Sequence, residues 1–274
     1  MRENKIVNSI KFILIVLLIV STPVFSFGEV KKIYYDNGKL KQEINIIDGK
    51  QDGITKIYAQ DGTLTEERIY KAGKQDGITR IYSQQGKLRG EALFKDDKQE
   101  GITKLYDENG KLSAEANFKN GLQDGITRVY DGNGKIAQER NYTLGKQNGV
   151  TRVYDKNSAL LEEQDYKNGK LDGITKVYEN GRVKAEAHYT EGKQQGITKI
   201  FYENGKLFAE ALYTDGKQNG LTKVYDKNGL LAEERNYRDG KQEDITRVYN
   251  GAGKVVEELN FKDGKLLNRS QVNE

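Results

Sequence analysis

Residues 51–74 read QDGITKIYAQDGTLTEERIYKAGK, and this stretch is one copy of a pattern that fills most of the chain. Its first eight letters return with small changes at residues 75–82, 99–106, 123–130, 147–154, 171–178, 194–201, 218–225 and 242–249. The step is 24 residues except between Gly173 and Gly196, where it is 23. A tenth copy begins at Glu29, which stands where the glycine belongs. Self-similarity at a fixed period of this length predicts a repeat architecture.

Each copy has the pattern of a β-hairpin. Residues 54–58, ITKIY, are β-branched and aromatic, as strands prefer. Asp61-Gly62 follows, and such pairs tolerate the positive φ that a two-residue hairpin turn requires. A second strand then runs from Leu64 to Tyr70, and a Gly-Lys-Gln-Asp-Gly-like linker leads into the next copy. The sequence predicts an all-β fold, an elongated antiparallel meander of about ten tandem hairpins.

Two charged columns run through the repeats without a break. A two-residue turn at Asp61-Gly62 would place Lys56 directly opposite Glu67, and the pair would recur in every unit. The predicted structural ladder includes Lys56, Glu67, Arg80, Glu91, Lys104, Glu115, Arg128 and Glu139. One unit lacks a residue between Tyr178 and Val183, so its turn must be rebuilt around Gly181 if Lys176 still meets Glu186.

Strand alternation assigns the faces of the predicted sheet. Side chains of a strand point alternately to opposite sides. Lys56 should therefore share one face with Ile54 and Tyr58, and Thr55 should share the other with Ile57. The second strand is expected to add Leu64 and Tyr70 to the Thr55 face.

Residues 1–28 have the order of a secretory signal peptide. A positive beginning is followed by an unbroken apolar run, residues 12–20, and then by small residues at plausible cleavage positions. We expect a signal helix here, and an uncleaved anchor is the alternative. A bilayer span needs about 20 apolar residues, which favours the cleaved form. The repeats are then expected at residues 29–267, followed by a tail at 268–274, outside the cytoplasm: periplasmic, at the cell surface or secreted.

Composition excludes several classes of function. The chain has no Cys and one His, so it has no thiolate nucleophile, disulfide or Cys-based metal site. The formal net charge is +4, of which Arg2, Glu3, Lys5 and Lys11 contribute +2, and both signs are interleaved in the remainder. No basic field indicates a nucleic-acid partner. No metal and no cofactor is expected.

The residues that could take part in catalysis or bind a metal have structural interpretations instead. His188 occupies a column that elsewhere holds Asn, Ile, Leu or Asp, as a tolerant surface position would. The adjacent carboxylates Glu66 and Glu67 should point to opposite faces and form no acid–base dyad. Asp131 and Asp226 open loops that resemble the start of a calcium loop, but the closing glutamate is replaced by tyrosine, which favours ordinary Asx turns. The sequence predicts no enzyme.

The recurring Tyr-x-x-Gly-Lys and Tyr-x-x-Asn-Gly-Lys-Leu pieces resemble the bacterial variant of the MORN repeat, the "membrane occupation and recognition nexus" (MORN_2). Good examples are residues 166–170, YKNGK, and residues 106–112, YDENGKL. The resemblance covers about residues 29–267, although the tryptophan of the eukaryotic repeat is missing. It implies an elongated hairpin array, and many bacterial members carry the label of toxin–antitoxin antitoxins.

These observations favour an exported, non-enzymatic scaffold that binds a protein or a cell-envelope component along one face, with avidity from many weak contacts. One alternative is an antitoxin or immunity protein with a single tight partner. Another is binding to a lipid surface, which added salt would weaken. The candidate variable binding face consists of residues that differ between units one position after the aliphatic column: Arg89, Leu161, Lys184 and Phe208.

Overall fold

The computed structural model describes residues 28–272 and shows an all-β chain in one open sheet. The strands are β1 (Glu29–Tyr34), β2 (Leu40–Ile47), β3 (Lys50–Tyr58), β4 (Leu64–Lys71), β5 (Lys74–Gln75), β6 (Gly77–Tyr82), β7 (Leu88–Lys95), β8 (Lys98–Tyr106), β9 (Leu112–Lys119), β10 (Leu122–Tyr130), β11 (Ile136–Thr143), β12 (Lys146–Gln147), β13 (Gly149–Tyr154), β14 (Leu160–Lys167), β15 (Lys170–Glu179), β16 (Arg182–Thr190), β17 (Lys193–Gln194), β18 (Gly196–Phe201), β19 (Leu207–Thr214), β20 (Lys217–Tyr225), β21 (Leu231–Arg238), β22 (Lys241–Tyr249), β23 (Val255–Lys262) and β24 (Lys265–Gln271). The expected signal helix lies outside the described residues. Within residues 28–272, no helix is long and apolar enough to cross a membrane.

The chain forms the predicted meander, because successive strands pair antiparallel in sequence order. In three hairpins, one unpaired residue splits the first strand into two shorter strands. These are β5 and β6, β12 and β13, and β17 and β18. Ten hairpins result, and β24 adds a last strand against β23. That strand continues to Gln271, into the segment that we expected to be a tail.

The two kinds of turn are arranged differently from the prediction. The hairpin turn holds three residues, Gln60-Asp61-Gly62, closed by a hydrogen bond from the Ala59 amide to the Thr63 carbonyl of 2.8 Å. The two-residue turns lie in the linkers, for example at Asp48-Gly49, where both residues have positive φ. The predicted two-residue hairpin turn is therefore wrong for most units. A type I turn followed by a left-handed glycine closes the three-residue loop, so only the glycine needs positive φ.

The unit that lacks a residue is the one hairpin of the described chain with the two-residue turn. Asn180 and Gly181 have φ of 53° and 73°, and Glu179 pairs with Arg182 across them. Lys176 still faces Glu186. The predicted rebuilding around Gly181 is confirmed.

Every hairpin also contains a bulge just after its turn. Tyr58 pairs with Leu64 and Ile57 pairs with Glu66, which leaves Thr65 without a cross-strand partner. Because cross-strand partners lie on the same face, Leu64 belongs with Tyr58 on the Lys56 face. The predicted placement of Leu64 on the Thr55 face is therefore wrong. The bulge reverses the alternation that the sequence pattern assumed.

The most buried side chains lie on the Thr55 face and are a row of threonines together with Ile44 and Ala209. Seven threonine side chains of the described chain are at most 9% exposed to solvent: Thr55, Thr79, Thr127, Thr151, Thr175, Thr222 and Thr246. In most units a glutamine four residues earlier donates its amide to the threonine hydroxyl, as Gln147 does to Thr151 at 2.6 Å. The hydroxyls of Thr55 and Thr175 are buried without a partner. In the second case the glutamine position holds Leu171.

Candidate functional site

The charged columns form one alternating row across the whole sheet. Lys56 faces Glu67 within its hairpin, as predicted, and it faces Glu43 across the preceding linker. Glu67 in turn faces Arg80 of the next unit. The row contains, in order, Lys32, Glu43, Lys56, Glu67, Arg80, Glu91, Lys104, Glu115, Arg128, Glu139, Arg152, Glu163, Lys176, Glu186, Lys199, Glu210, Lys223, Glu234, Arg247 and Glu258. The sequence pattern predicted these pairs only within hairpins.

Arginines and tyrosines hold the glutamates of this row. The Arg152 Nε lies 2.9 Å from Glu163 Oε1, and the Tyr178 hydroxyl donates to Glu163 Oε2 at 2.8 Å. These bonds lower the pKa of Glu163 against its desolvation, with the tyrosine bond the largest cause. Burial, followed by the bond to that carboxylate, raises the pKa of Tyr178 to about 12. In the units that carry an arginine, the row is therefore occupied by its own structural contacts.

The tyrosine bond recurs from unit to unit. The hydroxyls that donate to the glutamate of the preceding unit belong to Tyr82, Tyr106, Tyr130, Tyr154, Tyr178, Tyr225 and Tyr249. Sequence reasoning missed this contact, although the constant separation of 15 residues between the two columns was visible. Phe201 interrupts the series, because it has no hydroxyl to offer Glu186.

The predicted variable residues share one structural property. All four occupy the bulge position, which has no cross-strand partner. The bulge positions are Lys41, Thr65, Arg89, Ser113, Ala137, Leu161, Lys184, Phe208, Ala232 and Val256. An unpaired residue is free of the ladder that fixes its neighbours, and bulges commonly redirect a side chain. The chemistry at this position can therefore change without disturbing the sheet.

In three hairpins the bulge side chain lies against a residue at the end of the first strand or just after it. Lys41 Nζ is 5.5 Å from the centre of the Tyr35 ring. The Phe208 and Tyr202 rings meet edge to face, with centroids 5.0 Å apart. Lys184 Nζ is 3.0 Å from a carboxylate oxygen of Glu179. These pairs lie along the margin of the sheet that carries the hairpin turns, which we call the turn edge.

Concavities open at the turn edge beside the predicted variable residues. Arg89 lines one of about 430 Å³. Leu161 and Lys184 line a second, of about 450 Å³. Lys184 also lines two more, of about 420 Å³ and about 590 Å³, and Phe208 lines the larger of these. The structure thus places Leu161, Lys184 and Phe208 close together on neighbouring hairpins and Arg89 at a distance, four units before Lys184.

The remaining candidate residues have structural roles. The Asp131 carboxylate accepts hydrogen bonds of 2.9 Å from the Asn133 and Lys135 amides, which confirms an Asx turn and lowers the pKa of Asp131. His188 is exposed and faces Ile174. Glu66 accepts two bonds of 2.8 Å from Arg68, away from Glu67. Among residues 28–272, no group of three metal-binding side chains comes together.

Solved structures give only remote similarities. The chain is 14% identical to part of a mutant of S. aureus TarM in complex with fondaparinux, alpha-GlcNAc-glycerol and UDP, with a TM-score of 0.21, over 41% of this chain and 19% of that one. It is 16% identical to part of the TcdB2-TccC3-Cdc42 structure, with a TM-score of 0.20, over 86% of this chain and 14% of that one. A Photorhabdus luminescens Tc holotoxin pore matches at 15% identity and a TM-score of 0.21, over 82% of this chain and 15% of that one. The chain thus spans less than a fifth of these chains.

No curated protein matches the chain. The family model of the MORN repeat variant matches six segments, which are residues 30–48, 75–96, 99–120, 123–143, 194–215 and 218–239. These segments fall on six of the ten hairpins, and the other four carry the same columns in the same register. The chain is a MORN-repeat protein of the variant type.

Proposed function

We propose that the chain is an exported, non-enzymatic scaffold that binds a protein or a cell-envelope component through the turn edge of its sheet. One observation supports this above the others: the bulge position combines the most varied chemistry with freedom from cross-strand pairing. The MORN-repeat architecture is compatible with binding to proteins or surfaces. The order of residues 1–28 supports export.

The regular columns are poor candidates for recognition because they are already engaged. The arginines of the charged row bond to its glutamates, most of the tyrosines donate to the same glutamates, and most of the threonines accept from glutamines. A partner would have to break these contacts before it could use the side chains. Bulge residues cost no such rearrangement, and a set of separate weak contacts along the edge would add up through avidity.

A pull-down from the cell-envelope fraction with the full chain as bait tests the proposal. We expect a retained partner, and we expect Arg89→Ala, Leu161→Ala, Lys184→Ala and Phe208→Ala together to weaken its retention strongly. The matched control removes side chains from the opposite margin, through Lys50→Ala and Lys98→Ala at the linker turns. Equal loss in both variants, or no retained partner with a chain that remains monodisperse, would contradict the scaffold.

Deletion of repeats separates this proposal from its alternatives. A scaffold predicts retention that declines gradually as hairpins are removed. An antitoxin or immunity protein predicts one tight partner in a 1:1 complex and an abrupt loss. Binding to a lipid surface predicts retention on anionic vesicles that collapses as salt is added.

A further inference from the structure

The turns of the array repeatedly place asparagine directly before glycine. The sequence contains eleven such pairs, with the asparagines at Asn37, Asn109, Asn120, Asn133, Asn148, Asn168, Asn180, Asn204, Asn219, Asn228 and Asn250. Asparagine is chemically labile, and a following glycine has no side chain to keep its own amide nitrogen away from the asparagine carboxamide. Each pair is therefore capable of spontaneous deamidation, and the hydrogen bonds around it set how easily it reacts.

The reaction joins the backbone nitrogen of the glycine to the Cγ atom of the asparagine. The nitrogen gives up its proton to hydroxide and attacks the carboxamide, the Cγ–Nδ2 bond breaks, and ammonia leaves. Water then opens the succinimide ring to give aspartate or isoaspartate, so water is the only co-reactant. A hydrogen bond donated by the glycine amide opposes the attack, because it must be broken before the proton can leave. A carboxamide that is already bonded is held back in the same way.

Seven of the glycine amides are engaged by backbone carbonyls. In the hairpin loops the glycine donates to the residue three positions earlier, as Gly205 does to the Tyr202 carbonyl at 2.9 Å. In the linker turns it donates to the neighbouring linker, as Gly169 does to the Gln147 carbonyl at 2.8 Å. The seven are Gly38, Gly110, Gly121, Gly134, Gly169, Gly205 and Gly229. Their pairs are protected from attack.

Three further pairs are restrained in other ways. Gly149 and Gly220 lie within strands β13 and β20, where the ladder holds the backbone. The Asn250 carboxamide oxygen accepts two backbone amide bonds of 3.0 Å, which fix the side chain. Of the eleven pairs, all of which lie in the described part of the chain, the pair at Asn180 is left.

Asn180 and Gly181 are exposed and form the two-residue turn of the unit that lacks a residue. Within residues 28–272, neither the Asn180 carboxamide nor the Gly181 amide has a hydrogen-bond partner. The turn is closed by the pairing of Glu179 with Arg182 on either side of it. Because the loop is one residue shorter, the glycine amide lacks the carbonyl that accepts it in a three-residue loop.

We propose that Asn180 is a site of spontaneous modification, at which attack by the Gly181 nitrogen converts the asparagine to aspartate or isoaspartate. An aspartate fits this turn, since Asp48-Gly49 forms a two-residue turn with φ of 50° and 74°, against 53° and 73° here. Asn180 lines the concavity of about 420 Å³ together with Lys184. The modification therefore adds a negative charge to the candidate variable binding face.

Two other pairs in the same chain are matched controls. The segment 179–182 reads ENGR, and the segments 203–206 and 108–111 both read ENGK. The full chain is incubated at neutral pH and digested with trypsin, and mass spectrometry follows the peptides 177–182, 200–206 and 105–111 against a sample that was not incubated. We expect Asn180 to deamidate about three- to tenfold faster than Asn204 and Asn109, as the loss of one opposing hydrogen bond would imply.

The same incubation in urea separates structure from local sequence. The unfolded chain has no turns, so the three rates should become equal. Equal rates in the folded chain, faster reaction at another asparagine, or a preference for Asn180 that persists in urea would overturn the proposal.

A change of loop length tests the cause directly. An aspartate inserted between Tyr178 and Glu179 gives the order YDENG of residues 106–110, in which the glycine amide donates to the Asp107 carbonyl at 3.1 Å. We expect the rate at Asn180 to fall to that of Asn109. Deletion of Asp107 should have the opposite effect and raise the rate at Asn109 to that of Asn180. Circular dichroism checks that each variant keeps its strands, and an unchanged rate in either folded variant would overturn the role of the short turn.

Discussion

Lys56 of β3 stands directly opposite Glu67 of β4, although the turn between them differs from the one that predicted this pairing. A two-residue turn and a ladder without a bulge would align the two residues. The structure has a three-residue loop and one bulged residue, Thr65. Gln60 of the first strand lies in the loop and Thr65 of the second strand lies in the bulge. Each strand thus loses one residue from the ladder, so the register beyond the bulge is the same.

The continuity of the charged row predicts the result of a charge swap. Lys56→Glu combined with Glu67→Lys restores the pair inside the hairpin but sets like charges against Glu43 and Arg80. The swap is made in a Tyr82→Phe background, because Tyr82 otherwise donates to Glu67 and that bond would also be lost. We expect the free energy of unfolding to fall by about 0.4–2 kcal/mol, since each like-charge contact costs roughly 0.2–1 kcal/mol. Urea unfolding measures the change.

The last hairpin supplies the control for that swap. Arg247 faces Glu234 on one side, while Glu258 faces the uncharged Ser270 on the other. The swap of Arg247→Glu with Glu258→Arg therefore creates one like-charge contact and should cost about half as much. Equal costs in the two hairpins would show that the row does not act across the linkers.

Glu163 should matter more than the equivalent glutamate of the next unit. Glu163→Gln weakens contacts with both Arg152 and Tyr178, and we expect a loss of about 1–2 kcal/mol. Glu186 has Lys176 at 3.9 Å, and the position from which a tyrosine would donate to it holds Phe201, so Glu186→Gln should cost less than about 0.5 kcal/mol. Thermal and urea unfolding of the two variants decide the order.

The raised tyrosine pKa values predict loss of stability in alkali. Tyr178 and Tyr225 have a pKa of about 12 in the folded chain, against 10 for the free side chain. The folded state thus favours the protonated hydroxyl, so its contribution is complete below pH 10 and disappears as the pH rises towards 12. Unfolding followed between pH 9 and pH 12 should show this decline, and Tyr178→Phe should make it shallower. A decline of the same size in that variant would contradict the assignment.

A missing hydrogen bond can be restored in the unit of Leu171. The buried Thr175 hydroxyl has no partner, whereas the equivalent Thr151 accepts from Gln147 at 2.6 Å. Leu171→Gln should therefore stabilise the chain by about 0.5–1.5 kcal/mol. The reverse change, Gln147→Leu, should destabilise it by a similar amount, and melting temperatures that move in the same direction would refute the explanation.

Glycines at the start of the first strand differ in how much they tolerate a side chain. A Cβ at Gly77, with φ of 137°, would lie 2.8 Å from the Ile69 Cβ. A Cβ at Gly196, with φ of 75°, meets nothing within 4 Å. We expect Gly77→Ala to cost about 2–3 kcal/mol, from strain and overlap together, and Gly196→Ala about 1 kcal/mol from backbone strain alone. Melting temperatures of the two variants give the comparison.

The sequence determined the repeat, the strands and the pairing of Lys56 with Glu67. Each of these depends on columns that recur every 24 residues, and a hairpin joins residues that are close in sequence. The sequence also singled out Arg89, Leu161, Lys184 and Phe208, because variation stands out against a constant background.

Only the tertiary structure decided how the hairpins continue into one another. The row from Lys56 through Glu67 to Arg80 depends on register across a linker, which two-residue turns and bulges set together. The face of Leu64 depends on the bulge at Thr65, since an Asp-Gly pair suits either kind of turn.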